Sequence, residues 1–581
     1  MPDRVVDYLV RTVADRGIAQ IFGVDGANIE DLYDAIFDAG GFPAGIVAKH
    51  EFSAATMADG YARSTGGMGV VAATSGGGAM NLVAGLAESF TSRVPVLALV
   101  GQPPTGLQGL GAFQDSSGLA ESIDAAALFA TISRYCARVS DPAELPAQLA
   151  AAIAAAESGG PAVLLIPKDV QQQVMPVHDE TGGRFATDPL PAAVVSRAGS
   201  PVPEEAELAR TATPGVSTLT IASELAAARR VGKVVIIAGD QVARDDARAE
   251  LTALVAALDA SIGVAPDAKD VYSNTGPGYC GVAGSMGHAE LVENLAEASA
   301  CLLVGTRLPV TTRAGLDNAL ADLPVLSVGA LPPYPAATHA TSTDLTATIS
   351  ALLAGIGAGP TTSAGATELT PMTVPAAEGP GLRYRTVVEA IQRALPAGAD
   401  IFADAGNTGA SVVHYLRVPE RGRFTVALGM GGMGYAFGAG IGSAFARRAA
   451  PDGPHRTVVI AGDGSFFMHG MEIHTAIEHD LPITFVVFNN NAHAMCVTRE
   501  QLYYRDRYSF NRFQPSHLGA GIGAMFPGLS AHTVSDPDRL FETLADSFAT
   551  PGPSFLEILC DPDEVPPFLP FLSTLESRST P

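Results

Sequence analysis

TVVIAGDGSFFMHGMEIHTAIEHDLPITFVVFNN, residues 457–490, decides how the rest of the chain is read. Its apolar runs TVVIAG and ITFVVF read as buried strands, and the stretch between them reads as a helix. That order delivers Asp463, after the first strand, and Asn490, at the end of the second, to one edge of a sheet. The two stand 27 positions apart. A carboxylate and an amide placed there supply hard oxygen ligands, which Mg²⁺ prefers. Because Mg²⁺ shares its sphere with water and phosphate oxygens, the pair implies a diphosphate ligand. Gly462-Asp463-Gly464 alone is an ordinary turn, and the distant Asn489-Asn490 is what gives it meaning.

Outward from this unit, strand-like runs such as GVVAAT, VPVLALVG, AVLLIP, KVVIIAG and ACLLVG alternate with Ala-rich helical stretches. Such alternation builds parallel sheets covered by helices. The expected fold is α/β, with three domains that are each a mainly parallel sheet flanked by helices. Pro, Gly, Ala, Ser and Thr accumulate over 195–215 and 355–381, which read as linkers. The expected domains are therefore 1–185, 195–355 and 382–565, with 566–581 a C-terminal tail. A net charge of −25 and a pI near 4.8, with no basic run, argue against nucleic acid or an anionic membrane as partner. Small molecules remain. Cys136, Cys280, Cys301, Cys496 and Cys560 lack paired spacing, so neither a zinc site nor a disulfide framework is expected. The first 24 residues read as an amphipathic helix and a strand without a signal-like or membrane-spanning block, and the expected location is the cytoplasm.

Gly462-Asp463-Gly464 followed by Asn489-Asn490, together with Glu51 in VAKHEFSAATMADGYAR, resembles the signature of the thiamine-diphosphate (ThDP) enzymes. The likeness extends over nearly the whole chain. It implies a pyrimidine-binding first domain, a central domain and a diphosphate-binding third domain. Asp463 and Asn490 would hold Mg²⁺ through side-chain oxygens, and Ala492 through its main-chain carbonyl. Glu51, which by itself would be an ordinary first-turn helix acid, would exchange a proton with N1′ of the aminopyrimidine ring. Asp404, Gly406, Asn407 and Thr408 follow a strand and precede a helix, where backbone N–H groups cradle phosphate. Gly462, Gly464, Ser465 and Met495, with Gly26, Thr74 and Asn81 in the first domain, complete the implied cofactor contacts. LGMGGMGYAFGAGIGSAFA, residues 428–446, carries the GxGxxG spacing of a dinucleotide fingerprint, but no acid follows about 20 residues on to bind a ribose. The resemblance instead gives Gly431 and Met433 to ThDP, with Met433 wedged under the bent cofactor.

Within that family the chain is most similar to acetolactate synthase-like carboligases. GAFQDSSG puts Phe113 and Gln114 in the reaction pocket, where pyruvate decarboxylases carry a histidine pair. Gly26-Ala27-Asn28 occupies the loop where those decarboxylases carry an acid. Without these proton donors, the acyl unit left by decarboxylation is expected to attack a second carbonyl. Ala27, Asn28, His493, Cys496 and Arg499 are the expected substrate contacts. The expected activity is decarboxylation of pyruvate or a related 2-oxo acid with acyl transfer to a carbonyl acceptor. The alternatives are a 2-oxo acid decarboxylase or C–C lyase, or a non-catalytic cofactor-binding homologue. The resemblance also implies a homodimer or homotetramer with active sites between subunits.

Several positions depart from the synthase pattern. Gly77 replaces a usual Pro, Asp25 another, and Ser92-Arg93 a common Asp-Ser. The arginine that binds an acceptor carboxylate in biosynthetic synthases aligns with Val310, and Arg313 would serve only with a local slip. No FAD is expected, because both segments that accompany it in FAD-type synthases are altered here. His469, His474 and His479 recur every five residues, about 140° apart on a helix, and no metal site is expected of them.

Overall fold

The computed structural model describes residues 3–176, 216–357, 367–448 and 455–579. The linker expected at 195–215 lies outside them. Three six-stranded sheets form, and every pairing with a resolved register is parallel. The first holds β1 (Gln20–Val24), β2 (Ala44–Val47), β3 (Gly69–Ala73), β4 (Val96–Gln102), β5 (Tyr135–Arg138) and β6 (Pro161–Pro167) in the order β2-β1-β3-β4-β6-β5. The second holds β7 (Lys233–Ala238), β8 (Ser261–Val264), β9 (Tyr279–Val282), β10 (Ala298–Val304), β11 (Val325–Gly329) and β12 (Thr338–Thr341) in the order β12-β11-β10-β7-β8-β9. The third holds β13 (Asp400–Ala403), β14 (Arg423–Val426), β15 (Thr457–Gly462), β16 (Ile483–Asn489), β17 (Ser530–Val534) and β18 (Ser554–Leu559). Its order, β14-β13-β15-β16-β18-β17, repeats that of the first sheet strand for strand. The central strands β4, β6 and β16 are buried at every position, as unbroken apolar runs in helix-covered parallel sheets must be.

The described residues form two compact units, one from 3–176, 427–448, 455 and 467–483, the other from 216–357, 367–426, 456–466 and 484–579. In the first unit, the helix Glu51–Thr65 is buried on every side from Glu51 to Ala62. Its small residues allow this, and Ala54, Ala55 and Ala58 are fully buried. The helix Tyr435–Arg447 meets it backbone to backbone. A Cβ on Gly60 would lie 2.0 Å from the Ala439 carbonyl oxygen, and one on Gly442 would lie 1.9 Å from that of Met57. At such a crossing only glycine fits. The amino-terminal helix, Val5–Asp15, buries Val5, Val6, Leu9, Val10 and Val13 on one face, as its amphipathic pattern predicts.

The stretch between β15 and β16, expected as one helix, is two: Asp463–His469 and Ile473–Glu478, joined by a 3₁₀ turn over Gly470–Glu472. Glu472 holds that break, accepting from Thr475 Oγ1 at 2.6 Å and from the Lys49 backbone N–H at 3.0 Å. Residues 367–381 carry no helix or strand. The last residues form a helix, Leu569–Ser579, whose buried Phe571 meets Phe568 and Tyr503 edge-on. Among the described residues no helix is long and apolar enough to cross a membrane.

Candidate active site

Strand ends of the first sheet gather one set of the residues singled out above. Glu51 opens its helix directly after β2 and a short connection, with His50 as N-cap accepting from the Phe52 N–H at 3.0 Å. The Glu51 carboxylate is buried, and Asn81 Nδ2 donates to its Oε2 at 2.9 Å. Its Oε1 faces Gly78, where a Cβ would come within 3.0 Å. Thr74, at the end of β3, ties two loops together: Asn28 N–H donates to its Oγ1 at 3.2 Å, and that hydroxyl donates to Gln114 Oε1 at 3.3 Å. Asn28 Nδ2 also donates to Ser75 Oγ at 2.7 Å. Gly26 packs against Thr74, with room for no Cβ, and the Ala27 carbonyl accepts from Lys168 Nζ. Gln114 adopts a left-handed φ of 58° and is half-buried, whereas neighbouring Phe113 is 76% exposed. In the same unit, Gly431 is exposed with φ 66° and Met433 is half-buried just ahead of the helix Tyr435–Arg447.

Strand ends of the third sheet gather the second set. Asp463 follows β15 and is buried; its Oδ2 has no hydrogen-bond partner, and burial pushes its pKa up to about 7. A desolvated acid left with an empty acceptor is a place for a cation. Asn490, after β16, donates from Nδ2 to the fully buried Tyr384 hydroxyl at 2.8 Å, and its Oδ1 accepts from the Ala492 N–H at 3.0 Å. Ala492 is thereby folded back beside Asn490. Gly462 lies against Thr408, a Cβ there being 3.6 Å from Thr408 Oγ1. Asp404 Oδ1 accepts from the Ala405 N–H and from Ser465 Oγ, both at 2.8 Å. Gly406, with φ 95° and open space where a Cβ would be, caps the helix Asn407–Tyr415. Asn407 donates from Nδ2 to the Glu564 carbonyl at 3.3 Å and leaves its buried Oδ1 unpaired. Open space at a nine-residue helix N-terminus, beside Thr408 and Ser465, suits an anion.

The segment after Asn490 is less convergent. His493 caps the helix Ala494–Tyr504, and its ring meets Phe513 edge-on at 4.7 Å. Met495 and Cys496 are half-buried on that helix. Arg499 is exposed and sits 6.0 Å over the Phe571 ring, on the side facing the C-terminal helix. The three histidines point to different neighbours. His469 stacks on Phe52 at 4.2 Å, His474 lies 3.8 Å from Glu478, and His479 meets Phe445 at 5.0 Å. No group of three or more His, Cys, Asp or Glu able to hold a metal occurs among the described residues.

Sequence reading missed several groups that build these sites. Tyr384 supports Asn490 from 106 positions away, and Glu564 accepts from the Tyr384 N–H while burial pushes its pKa up to about 7. In the first unit, Asp59 accepts from Arg63 Nε at 2.6 Å, from Ser89 Oγ at 2.8 Å and from the Tyr435 hydroxyl. Burial opposes the Arg63 charge, yet Asp59, Tyr435 and Glu88 outweigh it and raise its pKa. The i,i+4 spacing in ADGYAR is compatible with a helix ion pair, but nothing in it marks the burial of Asp59.

Three family models match the chain: the thiamine pyrophosphate enzyme N-terminal TPP-binding domain over 3–122, the central domain over 220–352 and the C-terminal TPP-binding domain over 404–558. A probable acetolactate synthase large subunit of Methanocaldococcus jannaschii is 27% identical, over 97% of this chain and 93% of that one. A sulfoacetaldehyde acetyltransferase of Castellaniella defragrans is 28% identical over 89% and 86%, and an acetolactate synthase of Arthrospira platensis 27% over 96% and 94%. With N-terminal, central and C-terminal models falling in that order on the three sheets, the chain belongs to the thiamine pyrophosphate enzymes, close to acetolactate synthase.

Proposed function

We propose that this protein is a ThDP- and Mg²⁺-dependent carboligase of acetolactate-synthase type. It decarboxylates pyruvate or a related 2-oxo acid and transfers the acyl unit to a carbonyl acceptor. Its domains are 1–185, 195–355 and 382–565, and it works in the cytoplasm as a homodimer or homotetramer. When bound, ThDP supplies the electron sink that makes decarboxylation and carbon–carbon bond formation accessible. Asp463, Asn490 and the Ala492 carbonyl hold the metal. Asp404 to Thr408 and Gly462 to Ser465 bind the diphosphate, and Met495 adds apolar contact. Glu51, oriented by Asn81, holds and moves the proton at N1′ of the pyrimidine. Gly26, Thr74, Gly431 and Met433 fix where the rings lie. Ala27, Asn28, Phe113, Gln114, His493, Cys496 and Arg499 meet substrate.

The observation that carries the carboligase reading is the convergence of Asn28 and Gln114 on Thr74. Amides and a hydroxyl orient a carbonyl by hydrogen bonding but are poor acids, so they do not quench a developing carbanion by protonating it. A second acceptor class has its own support. Arg313, the candidate for an acceptor carboxylate, is paired with Asp317 at 2.6 Å, and sulfoacetaldehyde acetyltransferases are among the relatives. That favours acyl transfer to an acceptor other than a second 2-oxo acid.

We read the central domain as working without FAD. The central sheet has the strand order of dinucleotide-binding folds, with its switch point between β7 and β10. Just past β7, Gln241 is buried, donates to Asp245 and to the Ser342 carbonyl at 3.0 Å each, and accepts from the Ala330 N–H at 2.8 Å. The helix after β7, Gln241–Arg244, is a single turn, too short for a pyrophosphate site. Incubating the purified protein with pyruvate, with and without aldehyde and 2-oxo acid acceptors, and quantifying products by mass spectrometry tests the proposal. Acyloins or 2-hydroxy-3-oxo acids are expected; acetaldehyde as the dominant product under saturating acceptor overturns it.

A further inference from the structure

Glu88 is a buried carboxylate that neither the cofactor signature nor the sequence reading uses. Its Oε1 accepts from the Gly429 N–H at 3.1 Å and from Ser92 Oγ at 2.8 Å, and its Oε2 accepts from the N–H groups of Met430 at 2.6 Å and Gly431 at 3.2 Å. Three successive backbone N–H groups closing on one anion form a nest. Here the anion is part of the protein, so the loop is folded around its own side chain. Gly429 is required for the approach, since a Cβ there would lie 2.1 Å from Thr91 Oγ1. Two positions beyond the nest stands Met433.

The helix Gly77–Thr91 that carries Glu88 also carries Asn81, whose amide orients Glu51. The two residues are seven positions apart, two turns on one face, with ~10.5 Å of rise between them at 1.5 Å per residue. One rigid element therefore holds the catalytic acid at one end and the Met433 loop at the other. We propose that Glu88 is a positioning residue: it anchors residues 429–431 and, through the helix Gly77–Thr91, sets Met433 at a fixed distance from Glu51. This rests on the ThDP reading for its purpose, though not for the anchoring itself. Arg63, half-buried nearby and bonded to Asp59, supplies a positive charge that the Glu88 and Asp59 carboxylates share.

The test is hydrogen exchange of the cofactor-free protein with and without Glu88→Gln, which keeps the side chain's shape but turns one acceptor into a donor facing N–H groups. Hydrogen bonds to a charged acceptor are strong enough that exchange in peptides covering 427–434 should rise about tenfold or more. Peptides covering 51–65 and 435–447 should change less than twofold. The ThDP dissociation constant should rise about tenfold, with the KM for the 2-oxo acid within about twofold of wild type. Ser92→Ala, which removes one donor and leaves the nest, should raise exchange in 427–434 only about twofold to threefold, and keeps the idea testable if the Gln variant folds poorly. Unchanged exchange in 427–434, or equal acceleration in all three regions, overturns the anchor. Wild-type protein that binds no ThDP would overturn the functional reading instead, and leaves the exchange result to judge Glu88 by itself.

Discussion

The two sets of site residues differ in how their polar atoms are satisfied. In the first unit the acid is held: Asn81 pins Glu51 Oε2, Thr74 bridges Asn28 and Gln114, and Glu88 fills its nest. In the second unit buried acceptors are left open, Asp463 Oδ2 and Asn407 Oδ1. A desolvated polar atom without a partner costs on the order of 1–3 kcal/mol, more for a charge. Evolution does not keep such atoms for stability. We read the closed set as orienting a proton-transfer group and the open Asp463 Oδ2 as a place for a cation.

Removing the oriented acid should have the largest effect. Glu51→Gln keeps its bond from Asn81, so the variant should still bind ThDP while hydrogen–deuterium exchange at C2 of the cofactor falls about 10² to 10⁴-fold. Wild-type exchange would mean that the closed set orients nothing catalytic. In the open set, Asp463→Ala should weaken Mg²⁺-dependent ThDP retention by about 100-fold or more, read by calorimetry and metal analysis. The same variant should leave the cofactor-free protein about as stable as wild type, because losing the backbone hydrogen bonds to the carboxylate is offset by removing its desolvation and its unpartnered Oδ2. A loss of cofactor-free stability would show that Asp463 belongs with the satisfied acids.

A third expectation concerns the crossing that supports the closed set. Gly60→Ala would put a methyl 2.0 Å from the Ala439 carbonyl oxygen, and helix separation should cost about 1–3 kcal/mol in urea unfolding. An unchanged midpoint would mean the helices part without cost.

The smallest effect is on pH dependence and belongs to the second unit. His288 and His414 stack at 4.4 Å, and burial lowers their pKa values from 6.5 to about 2 and about 4. Lys269 also lowers both; its own pKa is brought down to about 7 by burial while it donates to the Val413 and Leu416 carbonyls. Glu290 acts on His414 in the opposite sense. Because the unfolded histidines bind protons first, their contribution is present above pH 6.5 and is lost as pH falls toward the folded values. Between pH 7.5 and pH 5 the His414 contribution alone should fall by about 1–2 kcal/mol, and His414→Gln should remove that part of the slope. Equal slopes in urea titrations of both proteins would count against it.

The sequence by itself determined the strand and helix order, the three-sheet α/β plan and the places where chemistry collects. Those are local properties: β-branched runs, Gly turns and an acid or amide at a strand end are fixed within a few residues of where they act. The single helix expected between β15 and β16 became two because Glu472 bonds to Lys49, 423 positions away, a contact no local pattern encodes. Likewise, the repeated strand order of the first and third sheets, the Gly60 and Gly442 crossing, the buried Gln241 hydrogen bonds and the Glu88 nest exist only once distant segments meet. Gly429 and Glu88 are 341 positions apart. An isolated glutamate in an Ala- and Gly-rich helix carries no mark of the three N–H groups it will accept. Composition and periodicity report which face of an element is buried. Only the tertiary structure decided what it is buried against, because burial removes water as a hydrogen-bond partner and makes the identity of each remaining neighbour count.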